Sequence, residues 1–142
     1  MLLESGKPAE ALAPLRRAVE LTNNQPLIAT TFGHALIASD ENAGSHSHFA
    51  EGERVLKAAV ARDRDNPFAW YVLGIIYANQ GDMVRAKLAS AEQQSLNGNM
   101  PEALRSAQDA LAGLPTGSPD ALRAEDIAMQ ARSAIARAKK HK

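Results

Sequence analysis

Cysteine is absent from the 142 residues, which excludes a disulfide framework and leaves the compartment open. Net charge is also lacking: 16 basic residues stand against 16 acidic ones, so nothing in the charge balance points to nucleic acid or an anionic membrane. Aromatic residues make up only 4% of the chain. No apolar run approaches the roughly 20 residues of a membrane span, and the opening residues are not expected to be a signal peptide. No alternating apolar stretch marks a strand, so a glycine-rich phosphate loop following a strand is missing too. What remains is helix-forming material. The chain holds 28 alanines among Leu, Glu, Arg, Lys and Gln stretches, broken by glycine and proline, and such residues favour helix nearly everywhere.

One stretch organises the rest. Trp70, Leu73, Gly74 and Tyr77 are spaced W-x2-L-G-x2-Y and fall on one helical face, where Gly74 would let a partner helix approach while the rings fill the space beside it. A Gly81-Asp82 turn and Ala86 follow. This is the first half of a tetratricopeptide (TPR) repeat pattern. The spacing recurs. Gly33 lies 41 residues before Gly74, one period of about 34 residues plus an insertion. That insertion is visible at 40–48, polar and glycine-containing, where a tight turn would otherwise stand. Gly52, Leu56 and Ala59 then occupy second-helix positions, and Asn66-Pro67 closes the repeat. Gly6, Ala11, Leu15 and Ala18 form the second half of an earlier repeat without its first half.

The expected fold is therefore all-α: a TPR-like α-solenoid of antiparallel helix pairs, about seven or eight helices in all. It divides as a partial repeat at 1–26, a repeat with its insertion at 27–66, the signature repeat at 67–97, an overlapping, phase-shifted repeat at 83–115, and a capping helix at 118–140. Helices are expected over 9–21, 27–39, 49–62, 67–79, 83–96 and 120–137, with a further second-helix segment marked by Glu102, Ala103, Leu104, Ala107, Ala110 and Leu111, with Asp82 as a cap and with packing from Leu27, Phe32, Leu36 and Ile37. Pro14 is expected to bend the first helix unless that helix begins later. Without a partner, the face bearing Leu12, Leu15 and Val19 is expected to be partly exposed and open to pairing with a second copy, a homodimer through the N-terminal face. The closing Lys139-Lys140-His141-Lys142 reads as a frayed end.

Several runs together resemble the C-terminal repeat region of BepA-like bacterial zinc metallopeptidases. They are Gly6-Lys7-Pro8-Ala9-Glu10-Ala11, the signature helix through Gly81-Asp82, Ala86-Lys87-Leu88-Ala89-Ser90-Ala91-Glu92, Asn97-Gly98-Asn99, and Leu114-Pro115-Thr116-Gly117-Ser118-Pro119 with Leu122-Arg123-Ala124-Glu125-Asp126. The P-x-G-S-P and R-A-x-D runs are the more specific part. The resemblance implies a periplasmic location, an HExxH protease domain elsewhere in the parent, and contact with that domain or with outer-membrane assembly machinery. This chain carries no HExxH, so it is expected to be a non-catalytic, excised C-terminal piece. The alternative is a free-standing TPR adaptor or scaffold, which would be cytoplasmic.

No catalytic, cofactor or metal site is expected. His46 and His48 alternate in a loop with no third ligand nearby, His34 lies on the exposed side of its helix, and serines and carboxylates sit in turns and on outer faces as caps and solvated groups. Binding of a protein or peptide partner remains. In stacked helix pairs the first helices line the inner surface, which singles out Phe68, Tyr71, Ile75 and Asn79 on one helix and Thr30, His34 and Ala38 on the preceding one; each could instead pack on added helices. Co-chaperone repeats that clamp a C-terminal carboxylate need cations where Phe68 and Val72 stand here. A neutral groove of this kind suits an extended peptide or a neighbouring domain.

Overall fold

A computed structural model describes residues 8–140. Gly6, the residues before it and the terminal His141-Lys142, on which some of these expectations fall, lie outside the described residues. Seven helices follow one another: α1 (Pro8–Leu21), α2 (Pro26–Ala43), α3 (Phe49–Arg62), α4 (Pro67–Asn79), α5 (Met83–Leu96), α6 (Met100–Gly113) and α7 (Pro119–Lys140). No strand occurs among the described residues. Each helix packs on the next, α2 also touches α4, and α5 also touches α7. Among the described residues α3 and α5 make no close contact, nor do α4 and α6.

The helix ends follow local chemistry. Asn66 caps α4 through its side chain, with Pro67 at the first helical position, and the Asp82 carboxylate caps α5 by accepting from the Arg85 amide. Gly81, with φ of 81°, takes the left-handed turn between α4 and α5 that its sequence position demands. Asn23 and Asn24 adopt the same region, and Arg62 at the end of α3 donates to both of their carbonyls at 2.8 Å. That bond ties the α1–α2 turn to the far end of α3. Pro14 lies inside α1 without ending it.

Three apolar clusters run along the chain. Leu12, Val19, Phe32, Leu36 and Ala59 join α1, α2 and α3. Leu56, Val72, Leu73, Ile76 and Ala89 join α3, α4 and α5. The third, among α5, α6 and α7, is built largely of alanine around Leu88 and Ile127, and small side chains there let three helices approach closely. Leu12 and Val19 are 8% and 7% exposed. The expected open face on α1 is therefore corrected: α2 covers it, and Leu15 is only half-exposed. Leu27 is corrected as well, being 59% exposed, while Phe32, Leu36 and Ile37 are buried as expected. An ion pair reinforces this end: both Arg16 Nε and Nη2 donate to the Glu51 carboxylate, at 3.1 and 2.8 Å. The pairing pulls Glu51 below its ordinary value of 4.5, chiefly through these hydrogen bonds.

The 40–48 insertion differs from its expected form. Its first half extends α2 by a turn to Ala43, where Gly44 ends the helix in the left-handed region. Asp40 is 1% exposed and organises the remainder. Its carboxylate accepts from the His48 amide at 2.6 Å, from His48 Nδ1 at 2.7 Å and from the Ser47 hydroxyl at 3.3 Å. A buried carboxylate near the end of α2 thus holds the start of α3.

Two consequences can be measured. A Cβ on Gly33 would collide with the fully buried Leu56 side chain, whereas one on Gly74 would meet Ala89 Cβ at an ordinary 3.5 Å. Gly33→Ala is expected to lower unfolding free energy by about 1–3 kcal/mol from overpacking; Gly74→Ala is expected to leave it unchanged or raise it by up to about 1 kcal/mol through helix propensity. Urea denaturation of the two variants checks the contrast. Asp40→Ala strands the donors of His48 and is expected to cost about 1–3 kcal/mol, with faster amide exchange confined to the start of α3.

Candidate functional site

The residues singled out on α2 and α4 do not all share one surface. Phe68 and Tyr71 are 44% and 48% exposed, and their rings stack with centroids 6.3 Å apart. His34 of α2 meets Phe68 edge-on at 5.3 Å. These three form a continuous row where α2 touches α4. Ile75 is half-buried against the core and Asn79 is exposed, its amide donating to the Ile75 carbonyl at 2.9 Å. Ala38 is half-buried. Thr30 does not belong: it is 3% exposed and its hydroxyl donates to the Pro26 carbonyl within its own helix. Val72 is fully buried as well, so at the expected clamp position only Phe68 faces outward. Tyr71 and Ile75 open onto a recess of about 260 Å³ shared with Met83, Lys87 and Ser90 of α5.

A second concavity was not visible in the sequence. Because α3 and α5 stand apart, a cleft of about 460 Å³ opens between them, closed at one end by the start of α7. Its floor is the signature stripe of α4, Trp70, Leu73 and Tyr77, with Leu88 of α5. The stripe reads as packing in the sequence, and it is packed, at 8%, 2% and 8% exposure. Burial pushes the Tyr77 hydroxyl pKa up, keeping the phenol neutral.

Glu92 forms one wall of the cleft. It is 3% exposed and accepts from Arg123 Nε and Nη2 at 2.8 and 2.7 Å and from Arg64 Nη2 at 2.9 Å. One carboxylate thus joins three elements: α5, α7 and the α3–α4 turn. Hydrogen bonding to Glu92 raises the Arg123 pKa further. Arg64 also lies over the Trp70 ring, 5.5 Å from its centroid, and its carbonyl accepts from Trp70 Nε1 at 2.8 Å. At the opposite rim Arg85 donates to Asp120 at 3.4 Å and to Asp82 at 3.4 Å.

The sequence placed Glu92 among solvated carboxylates. It is buried because α5 is packed by α4, α6 and α7, leaving little of the helix for water.

No three His, Asp or Glu side chains gather as a metal site among the described residues. His46 packs against Phe49, with ring centroids 5.1 Å apart, and His48 is engaged by Asp40. No helix of the described residues is long and apolar enough to cross a membrane.

The contrast between the two cleft carboxylates is testable. Glu92→Gln keeps the shape but removes the charge that two arginines share, and is expected to cost about 1–3 kcal/mol, moderated because the arginines reach solvent. Asp120→Asn, at the exposed rim, is expected to change stability by less than about 0.5 kcal/mol. Denaturant midpoints measured at neutral pH and low salt separate them. No family model and no curated protein matches this chain.

Proposed function

We propose that this chain is a non-catalytic protein-interaction module, a TPR-like α-solenoid that holds a neutral, apolar peptide segment along the row His34–Phe68–Tyr71 and the adjoining recess. The carrying observation is where the scarce aromatics lie. Of the chain's six, Phe32, Phe49, Trp70 and Tyr77 are buried, while Phe68 and Tyr71 stand side by side on the surface. Exposed, pre-stacked rings lose little conformational freedom on binding and make good anchors. His34, Ala38, Ile75 and Asn79 extend this surface with uncharged or weakly polar groups, which favours a neutral occupant over an acidic tail.

The runs that resemble the repeat region of BepA-like enzymes support a parent of that type, a periplasmic zinc metallopeptidase in which the module would meet substrate, assembly machinery or its own protease domain. An HExxH helix in the genomic reading frame upstream of Met1 is the expected finding; a stop codon in that frame would favour a free-standing adaptor instead.

Binding itself is tested by selecting displayed peptides on the purified chain. Neutral sequences with aromatic or aliphatic anchors are expected to emerge. Phe68→Ala and Tyr71→Ala are expected to weaken the selected peptide about tenfold or more, with melting temperatures close to wild type because both side chains are half-exposed. Unchanged affinity in both variants would overturn the assignment of this surface.

A further inference from the structure

We propose that the recess between α4 and α5 reads the main chain of what it holds: it takes an extended peptide segment, with the ring of a phenylalanine seated in the recess and the neighbouring carbonyls on Lys87, Ser90 and Gln93. This rests on the reading of the Phe68–Tyr71 surface as a peptide site, and adds the conformation of the peptide and the side chain it must carry.

Access comes first. Unlike the cleft over Trp70 and Tyr77, the recess is bounded by side chains that water already reaches: Tyr71 is 48% and Met83 55% exposed, and Ala78 is exposed as well. It continues directly from the stacked Phe68–Tyr71 pair. Its volume of about 260 Å³ is below the roughly 300–1,000 Å³ of pockets that enclose a whole drug-sized ligand, and suits a single large side chain. The Tyr71 ring on α4 and the Met83 thioether on α5 both line it, and both make favourable contacts with an aromatic ring. That pairing selects phenylalanine over an aliphatic anchor.

The polar side of the recess lies on α5. Lys87, Ser90 and Gln93 all line it, and from first to last they cover about 9 Å of helix rise. Neither the Ser90 hydroxyl nor the Gln93 amide has a hydrogen-bond partner among the described residues. The Lys87 ammonium has only Asp109, at 3.9 Å. Elsewhere on α5 the polar side chains serve the fold: Glu92 holds two arginines, and Gln94 pairs with Ser106 at 2.7 Å.

These uncommitted groups decide between two shapes of peptide. A helical segment satisfies its own main chain and offers only side chains, so it would cover the hydroxyl and the amide without bonding them, which is costly. An extended segment carries unpaired carbonyls, and those on one side recur about every 6.6 Å, within the span of the three donors. Two such carbonyls face α5 while the side chain set across them enters the recess.

The probe is the neutral peptide Gly-Ser-Phe-Thr-Leu-Ser, acetylated and amidated, followed through the Met83 and Ile75 methyl resonances, since these two residues line the recess and not the cleft. Its comparison is a hydrocarbon-stapled helix of Ala and Gln carrying the same Phe and Leu. The extended peptide is expected to shift both resonances saturably and to bind at least about fivefold more tightly than the stapled helix. Ser90→Ala combined with Gln93→Ala removes two side chains without partners in the fold, so the melting temperature is expected to stay close to wild type while the peptide weakens about fivefold or more. Equal or tighter binding of the stapled helix, unchanged affinity in the double variant, or unmoved Met83 and Ile75 methyls would overturn the inference. A display-selected peptide that depends on Phe68 and Tyr71 but is indifferent to Ser90 and Gln93 leaves the aromatic row standing and removes main-chain reading; indifference to all four removes both.

Discussion

Most of the architecture depends on covering α4. From Pro67 to Asn79 this helix has no charged residue, and it carries Trp70, Val72, Leu73, Ile76 and Tyr77 on more than one side. Removing each large apolar side chain from water contributes about 1.5–3 kcal/mol, which a single neighbour could not secure. Helices α2, α3 and α5 therefore all pack on it. The cover is incomplete in two places. Phe68 and Tyr71 stay outside where α2 and α4 meet, and a cleft remains over Trp70 and Tyr77 because α3 and α5 do not close on each other. Both are thus gaps in the cover of one helix.

Two buried carboxylates organise the polar side of the structure. Asp40 holds the beginning of α3 against the end of α2, and Glu92 holds α7 and the α3–α4 turn against α5. Asp40 lies near the end of α2 beside the connection to α3, and Glu92 lies in a helix packed by three others. A buried charge is tolerated only with partners that satisfy its lone pairs, and in both places the partners come from another element. Such groups add geometric definition more than net stability. At Glu92 that definition takes the form of a fixed pair of arginines.

The contacts beyond nearest neighbours differ between the two ends of the chain. At the front of the chain α2 reaches across to α4; at the back α5 reaches across to α7, while α4 and α6 stay apart. Helix α5 therefore packs on three neighbours, α4, α6 and α7. Alanine makes this possible, because Ala91, Ala103, Ala107, Ala124 and Ala128 keep the third cluster thin enough for α5, α6 and α7 to meet in one place. The Gly33–Leu56 contact does the same for the α2–α3 pair.

Local chemistry determined the elements. Proline at first helical positions, Asn66 and Asp82 as caps, glycine in left-handed turns and the period of the apolar residues placed the helix boundaries of α3, α4 and α5 from the sequence, since these signals act within a turn or two of chain. Phe68 and Tyr71 were singled out from repeat geometry instead, and both side chains are exposed. Tertiary structure alone decided the burial of Thr30, Asp40 and Glu92, the exposure of Leu27, and the covering of Leu12 and Val19. A residue's water contact is set by the helix lying across from it, and that neighbour is distant in sequence: Arg64 and Arg123 lie 28 and 31 positions from the Glu92 they bind. No periodicity within a single helix carries that information.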